Sequence, residues 1–266
     1  MIAAAVTVPV YSQQSASAGE ASVAAAATPS QVQAREILMR MARFLSTAPS
    51  FSVSLNTGYD AVQNSGQKIE FDERRKVIIS RPDHLHAEAE RSDGSKVSVV
   101  FTGKEIVLVD PTNNVYATAP QQGGLDESIV YFVSNLGMRL PLAVLLVSQA
   151  PAEFEDRVRT IDYVEKTNIL GTPSHHLAGR TDTVDFQFWI SDGEQPFPQR
   201  IVLTYRTEPG QPQFWAQFAD WRLSPTISAS TFSPQIPAGA QKIAFAAQLS
   251  TVSSATRKPP TDKGAK

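Results

Sequence analysis

The rhythm of apolar and polar positions changes at residue 49. Upstream, Ile37, Leu38, Met41, Leu45 and Ala48 recur at three- and four-residue intervals, and Arg35, Glu36, Arg40 and Arg43 fall largely between them. That spacing predicts an amphipathic helix. Ser30, with Gln33 three residues on, has the spacing of a capping box and is expected to open the helix; Pro49 is expected to close it. From Phe51 the period becomes two. The stretches "FSVSLNTGYDAV", "QKIEFDERRKVIIS", "DHLHAEAER", "KVSVVFTG", "KEIVLVD" and "VYATA" are separated by the turn-rich strings "QNSGQ", "SDGS" and "PTNN". They predict a meander of antiparallel strands.

The pattern then turns helical again. After Gly123-Gly124, the residues Ile129, Phe132, Val133 and Leu136 form an apolar stripe, a second apolar helix is expected around 141–147, and "PAEFED" makes a short further element. Alternation returns in "RVRTIDYVEKTNIL" and, after an expected hairpin turn at 171–173, continues through "SHHLAGR", "TVDFQFWIS", "QRIVLTYRT" and "QFWAQFADWRLS". Helix, strands, helices, strands in that order predict an α+β fold: one large antiparallel sheet with helices on one face, without alternating βαβ units. Residues 30–249 are expected to form one domain, with a signal-like or disordered leader at 1–29 and a disordered, basic, Pro-rich tail at 250–266.

Composition narrows the function classes. A formal charge of −2 and a pI near 6.1 give no reason to expect nucleic acid or an anionic membrane surface as partner. With no cysteine there is no disulfide framework, thiolate metal site, cysteine nucleophile or lipidated cysteine. The leader holds a short apolar run and an Ala16-Ser17-Ala18 stretch resembling a signal-peptidase site, although no Lys or Arg precedes the run. Export is the expectation, with an atypical or truncated signal. No segment reaches the ~20 apolar residues of a membrane-spanning helix.

Candidate chemistry is sparse. The four histidines stand as His84-Leu-His86, sharing one strand face, and as His175-His176, pointing to opposite faces, with no acidic residue at a recognised ligand spacing. No G-x-S-x-G occurs, and "QQGGLDES" lacks the dinucleotide fingerprint and the P-loop lysine. That glycine stretch reads as a helix entry, with Asp126 and Glu127 at the positive end of the helix dipole. Asp72 with Glu73, and Asp182 with Asp185, read as solvated strand positions before they read as acid/base pairs. The expectation is no catalytic residue, no metal and no cofactor.

Apolar abundance carries more information. Phe186, Phe188 and Ile190 share one strand face, as do Ile201, Leu203 and Tyr205. If both faces point inward, they meet the stripe from Ile129 to Leu136 and Leu140, Leu142, Leu145 and Leu146. The arrangement is a filled core or an apolar ligand site.

The stretch from "GTPSHHLAGR" through "TVDFQFWIS", "PFPQRIVLTY", Trp221 and Phe232 to "IPAGAQKI" resembles the C-terminal half of a bacterial family of predicted periplasmic proteins. "RPDHLHAEAERSDGSKVSVVFTGKEIVLVDPTNNVYATAP" and "LPLAVLL" look like its first half, so the resemblance spans roughly 34–245. The wider pattern is similar to periplasmic carriers of the LolA and LolB type and to mycobacterial lipid-carrier lipoproteins. It implies an incomplete antiparallel barrel whose concave face is covered by helices and takes lipid or a lipoprotein acyl chain. The absence of a lipidated cysteine disfavours a LolB-like membrane-anchored receptor. The resulting expectation is a non-enzymatic periplasmic carrier or sensor of an apolar ligand. Phe186, Phe188, Ile190, Leu203 and Tyr205 form its floor, and Phe132, Leu136, Leu142 and Leu145 lie opposite. The alternative is an envelope scaffold with a filled core that binds a protein partner.

Overall fold

The computed structural model describes residues 26–228 and 230–245; the expected leader and tail lie almost wholly outside them. Helix α1 (Pro29–Thr47) leads into strands β1 (Ser50–Val62), β2 (Lys68–Ser80), β3 (His84–Arg91), β4 (Lys96–Phe101), β5 (Glu105–Asp110) and β6 (Val115–Pro120). Helix α2 (Leu125–Ser134), a single 3-10 turn (Ala143–Leu145) and helix α3 (Ala150–Arg157) follow. Strands β7 (Thr160–Ile169), β8 (Thr172–Arg180), β9 (Val184–Ser191), β10 (Pro198–Tyr205), β11 (Gln213–Leu223) and β12 (Gln241–Ile243) complete the chain.

All the strands join one sheet in the order β12-β6-β5-β4-β3-β2-β1-β11-β10-β9-β8-β7. Every pairing is antiparallel except β12 with β6. Two meanders, β1–β6 and β7–β11, therefore meet along the β1–β11 seam, where Leu55 faces Phe218 and Thr57 faces Ala216. The expected α+β class, with helices on one face of a large sheet, is the observed one.

The local chemistry departs from expectation in four places. Thr28, not Ser30, caps α1: its hydroxyl accepts from the Gln31 amide at 3.3 Å while the Gln31 side chain accepts from the Thr28 amide at 3.0 Å. Pro29 explains the shift, because its fixed φ suits the first helical position and it needs no donor there. Ser30 is thereby freed to bond the edge strand, accepting from the Tyr163 amide at 3.1 Å. The apolar helix expected at 141–147 is only one 3-10 turn. "LPLAVLL" is apolar at almost every position, so no polar stripe selects a helical face. The β7–β8 hairpin turns at Leu170-Gly171, both at positive φ, and Thr172 and Pro173 already belong to β8. Finally, "QKI" forms β12, a strand too short for alternation to reveal.

One face of the sheet, the inner face, carries the core. Helix α1 lies against β7 and β9 and beside α3, burying Ala34, Leu38, Met41 and Leu45. Phe44 meets Phe197 edge-on at 5.2 Å, and Phe197 stacks on Trp221 at 4.8 Å. On the outer face, residues 224–240 carry the chain back from β11 to the far edge of the sheet. Phe232 of that segment packs on His84 at 4.9 Å, and Val100, Val107 and Val109 are buried on this face, apart from the main core.

Candidate functional site

The inner face divides at β1. On β8–β11, Leu177 faces Phe188, Phe188 faces Ile201, and Ile201 faces Ala216, giving an unbroken apolar row. These four residues are buried in one packed cluster. Gly179 contributes by lacking a side chain: a Cβ there would run into the Phe186 ring. Phe154 from α3 closes edge-on over Phe188 at 5.9 Å.

The nine residues singled out from the sequence all belong to that cluster or pack against it. Leu136, Leu145, Phe186, Phe188 and Ile190 are buried, while Phe132, Leu142, Leu203 and Tyr205 are half-buried. Of the α2 stripe, Ile129 points inward, whereas Val133 is exposed. Burial pushes the Tyr205 hydroxyl up, and Glu208 adds to this; Arg139, from the segment after α2, opposes it.

On β2–β6 a first row is equally dry: Ile79, Leu85, Phe101, Ile106 and Ala119 face one another across successive strands and are all buried. The next row, two residues along each strand, is Val77, Ala87, Val99 and Leu108. It is on the same face, in register, and only half-buried. This apolar shelf was legible as alternation in "KVIIS", "HAEAER" and "VSVVF". Its small and β-branched residues make it less conspicuous along the chain than the aromatic run in β9.

A polar latch holds the covering segment. Asp126, in the first turn of α2, accepts from the Ser148 amide at 3.0 Å and from the Ser148 hydroxyl. Arg81, just past β2, reaches Asp126 at 3.7 Å and donates to the carbonyls of Leu146 at 2.8 Å and Ala48 at 3.2 Å. Burial pushes the Arg81 guanidinium below its ordinary pKa, and Asp126 works against that. The Leu125 amide also donates to the Pro82 carbonyl at 2.7 Å. Both ends of 125–148 are thus pinned, while its middle presents half-buried Tyr131, Phe132, Leu142 and Val144 and exposed Val130.

The histidines are not brought together. His84 and His86 lie on β3, and five strands separate them from β8. His175 faces inward, bonded through Nε2 to Asp192 at 3.0 Å and through Nδ1 to the Tyr163 hydroxyl at 3.3 Å. His176 faces outward and stacks on Trp189 at 4.1 Å. Among the described residues no three metal-binding side chains converge. Asp182 is paired with Arg159 at 2.8 Å and Asp185 with Arg180 at 2.6 Å, while Asp72 and Glu73 point to opposite faces. Two hollows open elsewhere. One of about 630 Å³ lies between the outer face and the crossing segment, beside His84, Lys104 and Phe232; one of about 380 Å³ lies beside Glu73, Arg91 and Trp215.

Residues 34–246 match the model of the DUF2092 family, described as "Predicted periplasmic protein". The chain belongs to this family. The resemblance read from the sequence covers the same stretch of the DUF2092 chain. No curated protein matches it. Among solved structures it is similar to an uncharacterized conserved protein from Thermus thermophilus, at 12% identity and a TM-score of 0.46, covering 80% of this chain and 99% of that one. LprF from Mycobacterium bovis matches at 13% identity and a TM-score of 0.44, covering 77% and 96%. LolA superfamily protein NE2245 from Nitrosomonas europaea matches at 13% identity and 0.39, covering 76% and 97%. Likenesses of this size carry no argument about ligand or activity. Among the described residues no helix is long and apolar enough to cross a membrane.

Proposed function

We propose that the protein is a non-enzymatic periplasmic carrier or sensor that holds an apolar ligand, a lipid or acyl chain, between the sheet and the 125–148 segment. The observation that carries this reading is the half-buried shelf Val77, Ala87, Val99 and Leu108, on the strands whose β2–β3 turn pins both ends of the 125–148 segment. Water over a continuous apolar row is unfavourable by ~25 cal/mol per Å², less the costs of association. In this reading half-buried Phe132, Leu142, Leu203 and Tyr205, which pack against the same core, are the further apolar contacts offered to the ligand, and the five buried candidates belong to that core. The periplasmic location follows the family's description.

Mass spectrometry of organic extracts from protein purified out of its native envelope tests the reading. A reproducible, stoichiometric lipid is the expected result. Consistent absence of any lipid, together with failure of the purified chain to bind an uncharged fluorescent apolar probe, would sink it. A filled scaffold that docks a protein partner is then favoured by the close packing on β8–β11.

A further inference from the structure

The shelf ends in charge. On β2 the inner-facing residues run Ile79, Val77, Arg75, Glu73, Phe71 and Ile69, so an arginine follows directly after the apolar floor. Register places Arg75 between Leu55 of β1 and Ala89 of β3, both on the inner face. Its side chain retains 26% exposure, and that of Glu73 only 9%. Arg75 donates to Glu73 Oε2 through Nη2 at 2.6 Å and Nε at 3.0 Å; Arg91, opposite Glu73 on β3, reaches Oε1 at 3.4 Å.

Two guanidinium groups therefore share one carboxylate, leaving this cluster of three side chains with one positive charge in excess. A staple between β2 and β3 needs only Arg91, the cross-strand partner of Glu73. Arg75 adds a second cation beside the shelf, its side chain still 26% exposed. A partly buried guanidinium whose charge the shared carboxylate only half neutralises favours a ligand that brings an acidic group. Across β2–β5 the shelf from Val77 to Leu108 spans about 14 Å, three inter-strand spacings. Arg75 stands two residues, about 7 Å, along β2 from Val77, so an acyl chain laid on the shelf with its head at the β2 end brings that head beside Arg75.

From this juxtaposition we infer that the ligand is an anionic amphiphile: its acyl chain lies on Val77, Ala87, Val99 and Leu108, and its single acidic headgroup is bound by Arg75 and Arg91. The inference rests on the apolar-ligand reading above and deepens it. Both classes of head, carboxylate and phosphate monoester, present the same oxygens to a guanidinium, and competition between palmitate and hexadecyl phosphate separates them.

The test uses the full chain and displacement of the uncharged probe N-phenylnaphthylamine by palmitate, hexadecyl phosphate and 1-hexadecanol. An anionic competitor is expected to displace the probe about tenfold more effectively than the alcohol. Arg75→Met keeps the stem and should abolish that preference while leaving displacement by hexadecanol intact. Arg74→Met removes the same charge one residue away on the outer face and should leave the preference in place. Equal displacement by acid and alcohol in the unmodified chain overturns the headgroup inference and leaves the apolar reading standing, as does loss of preference in Arg74→Met. Failure of every competitor and of the probe itself overturns both.

Discussion

The two meanders present similar apolar rows to the helices and are covered to different depths. On β7–β11 the row is closed by α1 and α3, with rings meeting edge-on, and small residues such as Gly179 make room for large ones. On β2–β5 only the first row is closed, and the second, Val77, Ala87, Val99 and Leu108, is half-buried. One fold thus combines a fully buried row on β8–β11 with a row on β2–β5 that packs against the core and still keeps part of its apolar surface exposed. Exposed Tyr59, stacked on Phe71 at 5.9 Å, continues the open side toward the β1–β2 hairpin.

The contrast breaks most visibly under substitution. Ile190 is fully buried, and Ile190→Ala is expected to cost about 2–4 kcal/mol in urea unfolding through lost contacts and a residual cavity. Val99→Asp places a charge on the shelf, where water still reaches, and is expected to retain the fold while losing binding of the apolar probe. If Val99→Asp unfolds the chain as Ile190→Asp would, the halves do not differ and the shelf is core. Asp126→Ala removes the latch carboxylate and strands half-buried Arg81. It should lower stability by about 1–3 kcal/mol and speed amide hydrogen exchange in 125–148, leaving β8–β10 protected. The cap sits on the closed half: Thr28→Ala should cost about 1 kcal/mol, read as a lower Tm.

The smallest effect is pH-dependent and belongs to the closed half. Hydrogen bonds from Arg159, Arg180 and Lys166 hold Asp182, Asp185 and Asp192 below the ordinary carboxylate range. A carboxylate whose folded pKa is depressed contributes stability above its unfolded value, about 3.9, and loses it as pH falls through the folded one. Melting temperature should therefore fall only below about pH 4, with Asp182→Asn flattening the decline. These groups are exposed, so the change is modest.

Much of the fold was legible in sequence, the contrast between its halves was not, and the limits have physical causes. Period-two alternation located β1 to β11 because each strand has one wet and one dry face. It failed for β12, three residues long and exposed throughout, and for the 3-10 turn, where uniform apolarity suits several backbones. Phe186, Phe188 and Ile190 were correctly placed on one face. Whether that face was filled depended on α1 lying over β7 and β9, a long-range fact that no local pattern encodes. The latch was invisible for the same reason: Arg81, Asp126 and Ser148 meet only when the meander and the covering segment are folded.

The β1–β11 seam also bears on how the chain reaches this structure. Each meander forms from neighbours in sequence, but Leu55 must find Phe218 across most of the chain, and β12 can join β6 only after the outer face has been crossed. Loop-closure entropy is lost before those contacts repay it, so pairings of such long sequence separation slow folding. Until it closes, β1 and β11 are both free edges, and the half-assembled sheet is the species most exposed to pairing with another chain.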